Sequence, residues 1–128
     1  MSGEKFKVAI VDDDTSLCHA MDRLLRAAGF QTLTYLSGEA FLEDMERARP
    51  DCILLDIQLG GMSGFELQTL LTASGSTIPV IFITAHDDHK IREQARRTNC
   101  VTYLRKTDPG QAVLEAIRRA VHFDEAKE

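Results

Sequence analysis

Apolar residues gather in four short runs, at residues 6–11, 52–55, 78–83 and 101–104. Runs without alternation are the mark of parallel strands covered on both faces. A fifth segment, 31–36, is weaker and partly polar, which places it as a strand close to a sheet edge. Between the runs the period changes to that of a helix. Residues 16–28 put Leu17, Ala20, Met21, Leu24 and Leu25 on one stripe, and Gly29 supplies a left-handed stop. Ser37 caps a second helix over 38–49 with Ala40, Phe41 and Met45 inward, before Pro50-Asp51 breaks it. A third helix, 65–72, carries Leu67, Leu70 and Leu71 as its apolar positions. A fourth starts at Asp87 or Asp88 and runs to Thr98, with only Ile91 and Ala95 apolar, so it is the least firmly held. Asp108 as N-cap and Pro109 at the first helical position open the fifth. Its stripe is Ala112, Val113, Ala116, Ile117, Ala120 and Val121.

Five βα units in one short chain, joined by short loops and right-handed crossovers, predict an α/β doubly wound parallel sheet with helices on both faces. In such sheets ligands bind outside the carboxyl ends of the strands. The residues at those ends carry chemistry. Asp12-Asp13-Asp14 follows the first run, Asp56 the third strand, Thr84 the fourth and Lys106 the fifth. Asp14 or Thr15 caps the helix that follows, but one cap needs one acid and not three. Adjacent carboxylates repel, and gathering them calls for a cation. Their hard oxygens suit Mg²⁺, which keeps several waters and takes one or two carboxylates. A lysine there is a compact charge for a phosphate oxygen, and a threonine offers a hydroxyl that reorients. Alone, each of the last two positions is an ordinary surface lysine or turn hydroxyl. The order of all five on successive strand ends is what gives them weight.

Composition narrows the class further. The chain has 128 residues, 44% hydrophobic and 27% charged, which suits one domain with a real core. We expect a single domain over 1–128, with its core at 6–122 and a charged, flexible tail over 123–128. No run approaches the ~20 apolar residues of a membrane span, and the start lacks a secretory signal pattern. A cytoplasmic protein that does not enter the membrane is expected. The net charge is −5, so direct nucleic-acid binding is not indicated, and the late arginines (Arg92, Arg96, Arg97, Arg105, Arg118 and Arg119) read as a solvated face. Cys18, Cys52 and Cys100 are odd in number and lack CxxC spacing, so they read as reduced thiols, Cys52 in the core.

The segments VAIVDDD at 8–14, ILLDIQLGGMSG at 53–64, VIFITA at 80–85 and VTYLRK at 101–106 together resemble the receiver domain of two-component response regulators. The likeness covers about 7–121. Its subgroup character is that of receivers that precede helix-turn-helix regulators. The resemblance implies a flavodoxin-like, CheY-like five-stranded parallel sheet of order 2-1-3-4-5 with five helices. It implies Asp56 as phosphoacceptor, with Mg²⁺ (or Mn²⁺) on Asp12, Asp13, Asp56 and the backbone carbonyl of Gln58. Lys106 would contact the phosphoryl oxygens. Thr84 would turn to the aspartyl phosphate and Tyr103 would follow, switching the face of the fourth helix, fifth strand and fifth helix. The phosphoryl donor would be a histidine kinase or a histidine phosphotransfer protein, and a homodimer could form on phosphorylation. Gln58 and His86, each two beyond a site residue, would tune hydrolysis. The chemistry is the domain's own phosphorylation and dephosphorylation, without enzymatic turnover of other substrates.

Three positions depart from the family pattern. Lys106-Thr107 stands where Lys-Pro with a cis bond is usual, and a cis bond before Thr costs ~3 kcal/mol, so a trans bond and a rearranged loop are expected. Gly60 stands where Pro is preferred, which loosens its loop, and Asn99 replaces a Gly before the last strand. Two other readings compete. One is an aspartate-nucleophile phosphatase using Asp12-x-Asp14, for which the chain has no room for a cap or lid. The other is a receiver-like interaction module that is never phosphorylated. A His86/His89 metal site lacks a third ligand, and His19 and His122 read as surface residues.

Overall fold

The computed structural model describes residues 6–86, 88–98 and 102–126, with side chains as far as 122. Ten elements alternate along the chain: β1 (Lys7–Val11), α1 (Thr15–Ala27), β2 (Gln31–Tyr35), α2 (Gly38–Ala48), β3 (Cys52–Asp56), α3 (Gly64–Ala73), β4 (Val80–Thr84), α4 (His89–Arg96), β5 (Thr102–Arg105) and α5 (Gly110–Ala126). All strand pairs are parallel, and the sheet order is β2-β1-β3-β4-β5, as the resemblance implied. The expectations on Asp87 as a helix start, on Asn99, Cys100 and Val101, and on the last two tail residues lie outside the described residues. The backbone of α5 continues to Ala126, past the core limit of 122, because no Gly or Pro interrupts it.

Each face of the sheet has its own core. On one, Val8, Ile10, Leu54, Ile81 and Ile83 pack under Met21 and Leu25 of α1 and Val113, Ile117 and Val121 of α5. On the other, Ala9, Val11, Ile53, Leu55 and Phe82 meet Phe41 of α2, Leu67 and Leu71 of α3 and Ala95 of α4. This two-sided burial is why β3 and β4 are apolar without alternation, all five residues of each being buried. β2 lies at the edge with two of its five residues exposed, and Leu36 just beyond it is exposed.

Helix starts follow capping chemistry. The Asp14 carboxylate accepts from the N–H groups of Ser16 and Leu17, and Ser37 and Asp88 serve α2 and α4. Ser63 and Glu66 exchange bonds in a capping box at α3. Gly29 does end α1, at φ +98. One stripe assignment, on α1, needs correction. Ala20 is exposed, and Cys18 takes the buried place on α1. On α3, Leu70 is exposed and Gln68 is buried, because Gly64 presses the helix onto β3 and turns the Leu67–Gln68–Leu71 face inward. Among the described residues no helix is long and apolar enough to cross a membrane.

Gly64 sets how closely α3 approaches the sheet. A Cβ there would fall 2.3 Å from the backbone oxygen of Asp56 and 2.8 Å from the Ile57 Cα. Rigid backbone cannot yield as a side-chain tip does. Gly64→Ala is therefore expected to destabilise the fold by roughly 2–3 kcal/mol, the upper part of the overpacking range, read as a lowered urea midpoint.

Candidate functional site

The reversal in strand order falls between β1 and β3, and the acidic residues straddle it. Asp12 is the first residue past β1. Its N–H donates to the Tyr35 carbonyl at 3.0 Å, one pairing beyond the β1–β2 ladder, and this draws it fully inside. Its carbonyl accepts the Cys18 thiol at 3.2 Å. Asp56 closes β3 opposite Ile83 and is 2% exposed. Asp13 is exposed at the rim. Carboxylate oxygens of Asp12, Asp13 and Asp56 all lie within 4.8 Å of one another. Asp14 is turned away as the α1 cap, so three of the four acids gather here.

Lys106 is the countercharge. Its Nζ lies 2.9 Å from Oδ2 of Asp12 and 3.3 Å from Oδ2 of Asp56. The bond it donates to Asp12 goes to Oδ1 at 3.2 Å, where the Asp14 N–H also points. The approach to Asp12 Oδ2 is an ion contact without hydrogen-bond alignment, so that oxygen is buried with no hydrogen bond of its own. No peptide bond among the described residues is cis, so Lys106–Thr107 is trans. The loop holds Lys106 by other means. Its N–H donates to the Thr84 carbonyl at 2.8 Å, and the Asp108 carboxylate accepts the Arg105 N–H at 3.0 Å while the Asp108 N–H donates to the Arg105 carbonyl at 3.0 Å. Asp108 thus closes the turn that presents Lys106. It does not cap α5, which starts at Gly110, because the backward bond competes for the same carboxylate.

Thr84 is buried at the end of β4, but its hydroxyl is folded onto its own loop. It donates to the His86 carbonyl at 3.1 Å and accepts the His86 N–H at 3.0 Å. Tyr103, half-buried, packs against the core cluster under α2, α3 and α4. Gln58 donates its N–H to Oδ1 of Asp56 at 3.1 Å, and its side chain, like that of His86, is exposed. His19, His86 and His122 are exposed, and so is His89, at the start of α4. The contacts of Cys18, Glu39 and Gly64 around the site were not read from the sequence, since each is made to backbone atoms that only the fold brings beside it.

Electrostatics follow from this crowding. Burial, then the neighbouring Asp12 charge, pushes the Asp56 carboxyl up to about 6, against the pull of the Gln58 N–H and Lys106. Burial works against the Lys106 charge, yet the two carboxylates overcome it and hold its pKa above the ordinary value. Burial first, with Asp12 and Asp14 adding, lifts the Cys18 thiol to about 11, so it is no nucleophile.

Three carboxylates and one ammonium leave negative charge uncompensated. A buried oxygen lacking a hydrogen bond, two more carboxylates in reach and an all-oxygen donor set fit a hard divalent cation. A doubly wound sheet of this order with such a cluster at its switch point defines a receiver domain. A profile described as "Response regulator receiver domain" matches residues 8–118, and the chain belongs to that family. The response regulator protein TmoT of Ectopseudomonas mendocina is 31% identical over 121 residues, which cover 94% of this chain and 55% of that protein. The chain thus spans about half the length of the curated relatives it matches. The N-terminal domain of a response regulator/sensory box/GGDEF protein from Carboxydothermus hydrogenoformans superposes with TM-score 0.84 at 31% identity, covering 94% of this chain and 98% of that one. A CheY-like receiver from Methanospirillum hungatei JF-1 has TM-score 0.90 over 98% of this chain and 100% of its own, at 21% identity, a likeness of fold alone.

The raised Asp56 carboxyl carries a sign. The metal-free folded state holds this proton more tightly than the unfolded chain, so its stability falls as pH rises from the ordinary carboxylate range through about 6. Asp56→Asn is expected to stabilise the metal-free protein by about 1–2 kcal/mol at pH 7.5 and by little at pH 4, read by urea unfolding at both.

Proposed function

We propose that this receiver domain takes a phosphoryl group on Asp56 in a Mg²⁺-dependent reaction and switches a distant face in response. The carrying observation is that Asp56 shares Lys106 with a buried Asp12, in a cluster whose charge is left unbalanced. Asp12, Asp13, Asp56 and the Gln58 carbonyl would hold Mg²⁺ (or Mn²⁺). Bound there, the ion would offset negative charge on the phosphoryl oxygens. A carboxylate oxygen of Asp56 attacks phosphorus of a phosphohistidine on a histidine kinase or phosphotransfer protein. The new O–P bond forms as the N–P bond breaks, and the nitrogen keeps the pair. Lys106, already 3.3 Å from Asp56, stays beside the charge as it moves onto the phosphoryl oxygens, so the chain contributes mainly position and electrostatics.

The switch follows from Thr84. Its hydroxyl is occupied by the His86 backbone. A phosphoryl group adds strong acceptors nearby, and turning toward them exchanges one bonded arrangement for another. Tyr103 would move into the vacated space and alter the face of α4, β5 and α5. A homodimer could form on phosphorylation. Gln58 and His86 flank the site and would tune hydrolysis of the aspartyl phosphate. The domain acts on no other substrate, makes no direct contact with nucleic acid or membrane, and works in the cytoplasm. The phosphatase reading is disfavoured because Asp14 is spent on the α1 cap and Asp12 is paired with Lys106.

Incubation with acetyl phosphate and Mg²⁺ is expected to add one phosphoryl group, mapped to Asp56 by mass spectrometry. Asp56→Ala abolishes it, and Asp13→Ala lowers Mg²⁺ affinity by about tenfold or more. Thr84→Ala still accepts the group but loses the accompanying Tyr103 resonance shift. Label on another residue, or undiminished labelling of Asp56→Ala, rejects the assignment.

A further inference from the structure

The β3–α3 loop contains Leu59-Gly60-Gly61, two adjacent glycines whose backbone freedom makes a fixed conformation entropically unfavourable. The loop is nevertheless tied at every second N–H, each time to a carboxylate. Gln58 donates to Asp56 at 3.1 Å, Gly60 to Oδ2 of Asp13 at 3.2 Å and Met62 to Oε2 of Glu39 at 3.3 Å. The first two carboxylates belong to the cluster that a cation or phosphoryl group would engage. Glu39 stands apart from it, in the first turn of α2. Gly61 fits the same arrangement: its φ is +75, and a Cβ there would lie 3.2 Å from Oε2 of Glu39.

From this geometry we infer that Glu39 is a positioning residue, which holds the β3–α3 loop so that the Gly60 N–H and the Gln58 backbone stay aimed at the Asp13–Asp56 cluster. The inference rests on the proposed function for its consequence on metal binding, but the tether itself does not. Acids on the loop's own side of the cluster change partners when ligand arrives. Glu39 lies outside the cluster, so its bond to Met62 does not compete with a ligand there, and it supplies in this chain the restraint that a proline in place of Gly60 would give. Glu66 contributes next to it, accepting the Ser63 N–H at 2.8 Å, but it serves the α3 cap.

Three variants of the full chain separate the tether from mere helix charge. Glu39→Gln keeps the reach and an acceptor oxygen without charge. Glu39→Asp keeps the charge in the first turn of α2 but is one methylene short. Glu39→Ala lacks both. Amide hydrogen exchange at Gly60 and Met62 in the metal-free protein is expected to rise about three- to tenfold in Glu39→Ala and Glu39→Asp, the scale of one hydrogen bond, and to stay near the parent rate in Glu39→Gln. Mg²⁺ affinity, by titration, should fall severalfold in the same two variants, with the thermal midpoint of all three close to the parent. Rescue by Asp and not by Gln overturns the inference, as does unchanged exchange in Glu39→Ala or a rise spread evenly over the chain. If the parent protein binds no Mg²⁺, the proposed function fails, and the exchange readout still decides the tether.

Discussion

One ammonium shared between two buried carboxylates organises this molecule. Lys106 follows the last strand and Asp12 the first, 94 positions apart in the chain, and the ion pair closes across four of the five strands. Taking such charges out of water is costly, and attraction between them repays it only when the geometry is good. Here the balance is left incomplete by design of the strand ends: the ladder draws Asp12 inside, β3 delivers Asp56 beside it, and Asp13 adds a third charge at the rim. Crowding three carboxylates around one ammonium is unfavourable on its own. Anything that binds the folded cluster and supplies positive charge relieves this, which makes ligand binding and local stability the same quantity.

The loops around the cluster are closed by polar groups that have two uses. Asp14 caps α1 and so leaves the cluster. Thr84 closes its turn on His86 and so withholds its hydroxyl from Asp56. Asp13 holds Gly60, and Asp56 holds Gln58. A site built this way has its polar groups bonded to one another, and bonds of this kind are ones that a ligand's own donors and acceptors can replace. That is the physical condition for a small local event to bias a larger arrangement.

Much of this was legible in the sequence, for physical reasons that can be named. Strands β3 and β4 are covered on both faces, so their apolar runs leave no ambiguity of period. The five candidate site residues stand at strand ends or within two residues past them, and a parallel sheet brings all such ends to one edge. The positions that the pattern did not settle were those decided by tertiary contact. Leu70 fits a helical stripe with Leu67 and Leu71, but the docking of Gly64 against Asp56 rotates it to solvent and brings Gln68 in. Ala20 lost its place to Cys18, whose thiol finds the Asp12 carbonyl. Glu39 looked like a first-turn acid of α2, and only the fold reveals that it reaches the loop after β3.

Asp108 shows how the family pattern and local chemistry reach the same result by different means. Where Lys-Pro is usual, the bend after the lysine is built into the bond itself. This chain has Lys106-Thr107 and trans peptide geometry, so the bend must come from hydrogen bonds. The Asp108 carboxylate and N–H both return to Arg105, and the Arg105 guanidinium lies 3.2 Å from the same carboxylate. The residue that reads as a helix cap is thus used one position early, as a turn closer. With its backbone pinned to the Thr84 carbonyl on one side and by this turn on the other, Lys106 has little freedom left except along its own side chain. That side chain is what spans Asp12 and Asp56. The turn therefore sustains the ion pair, and the helix begins at Gly110 because Asp108 is already engaged.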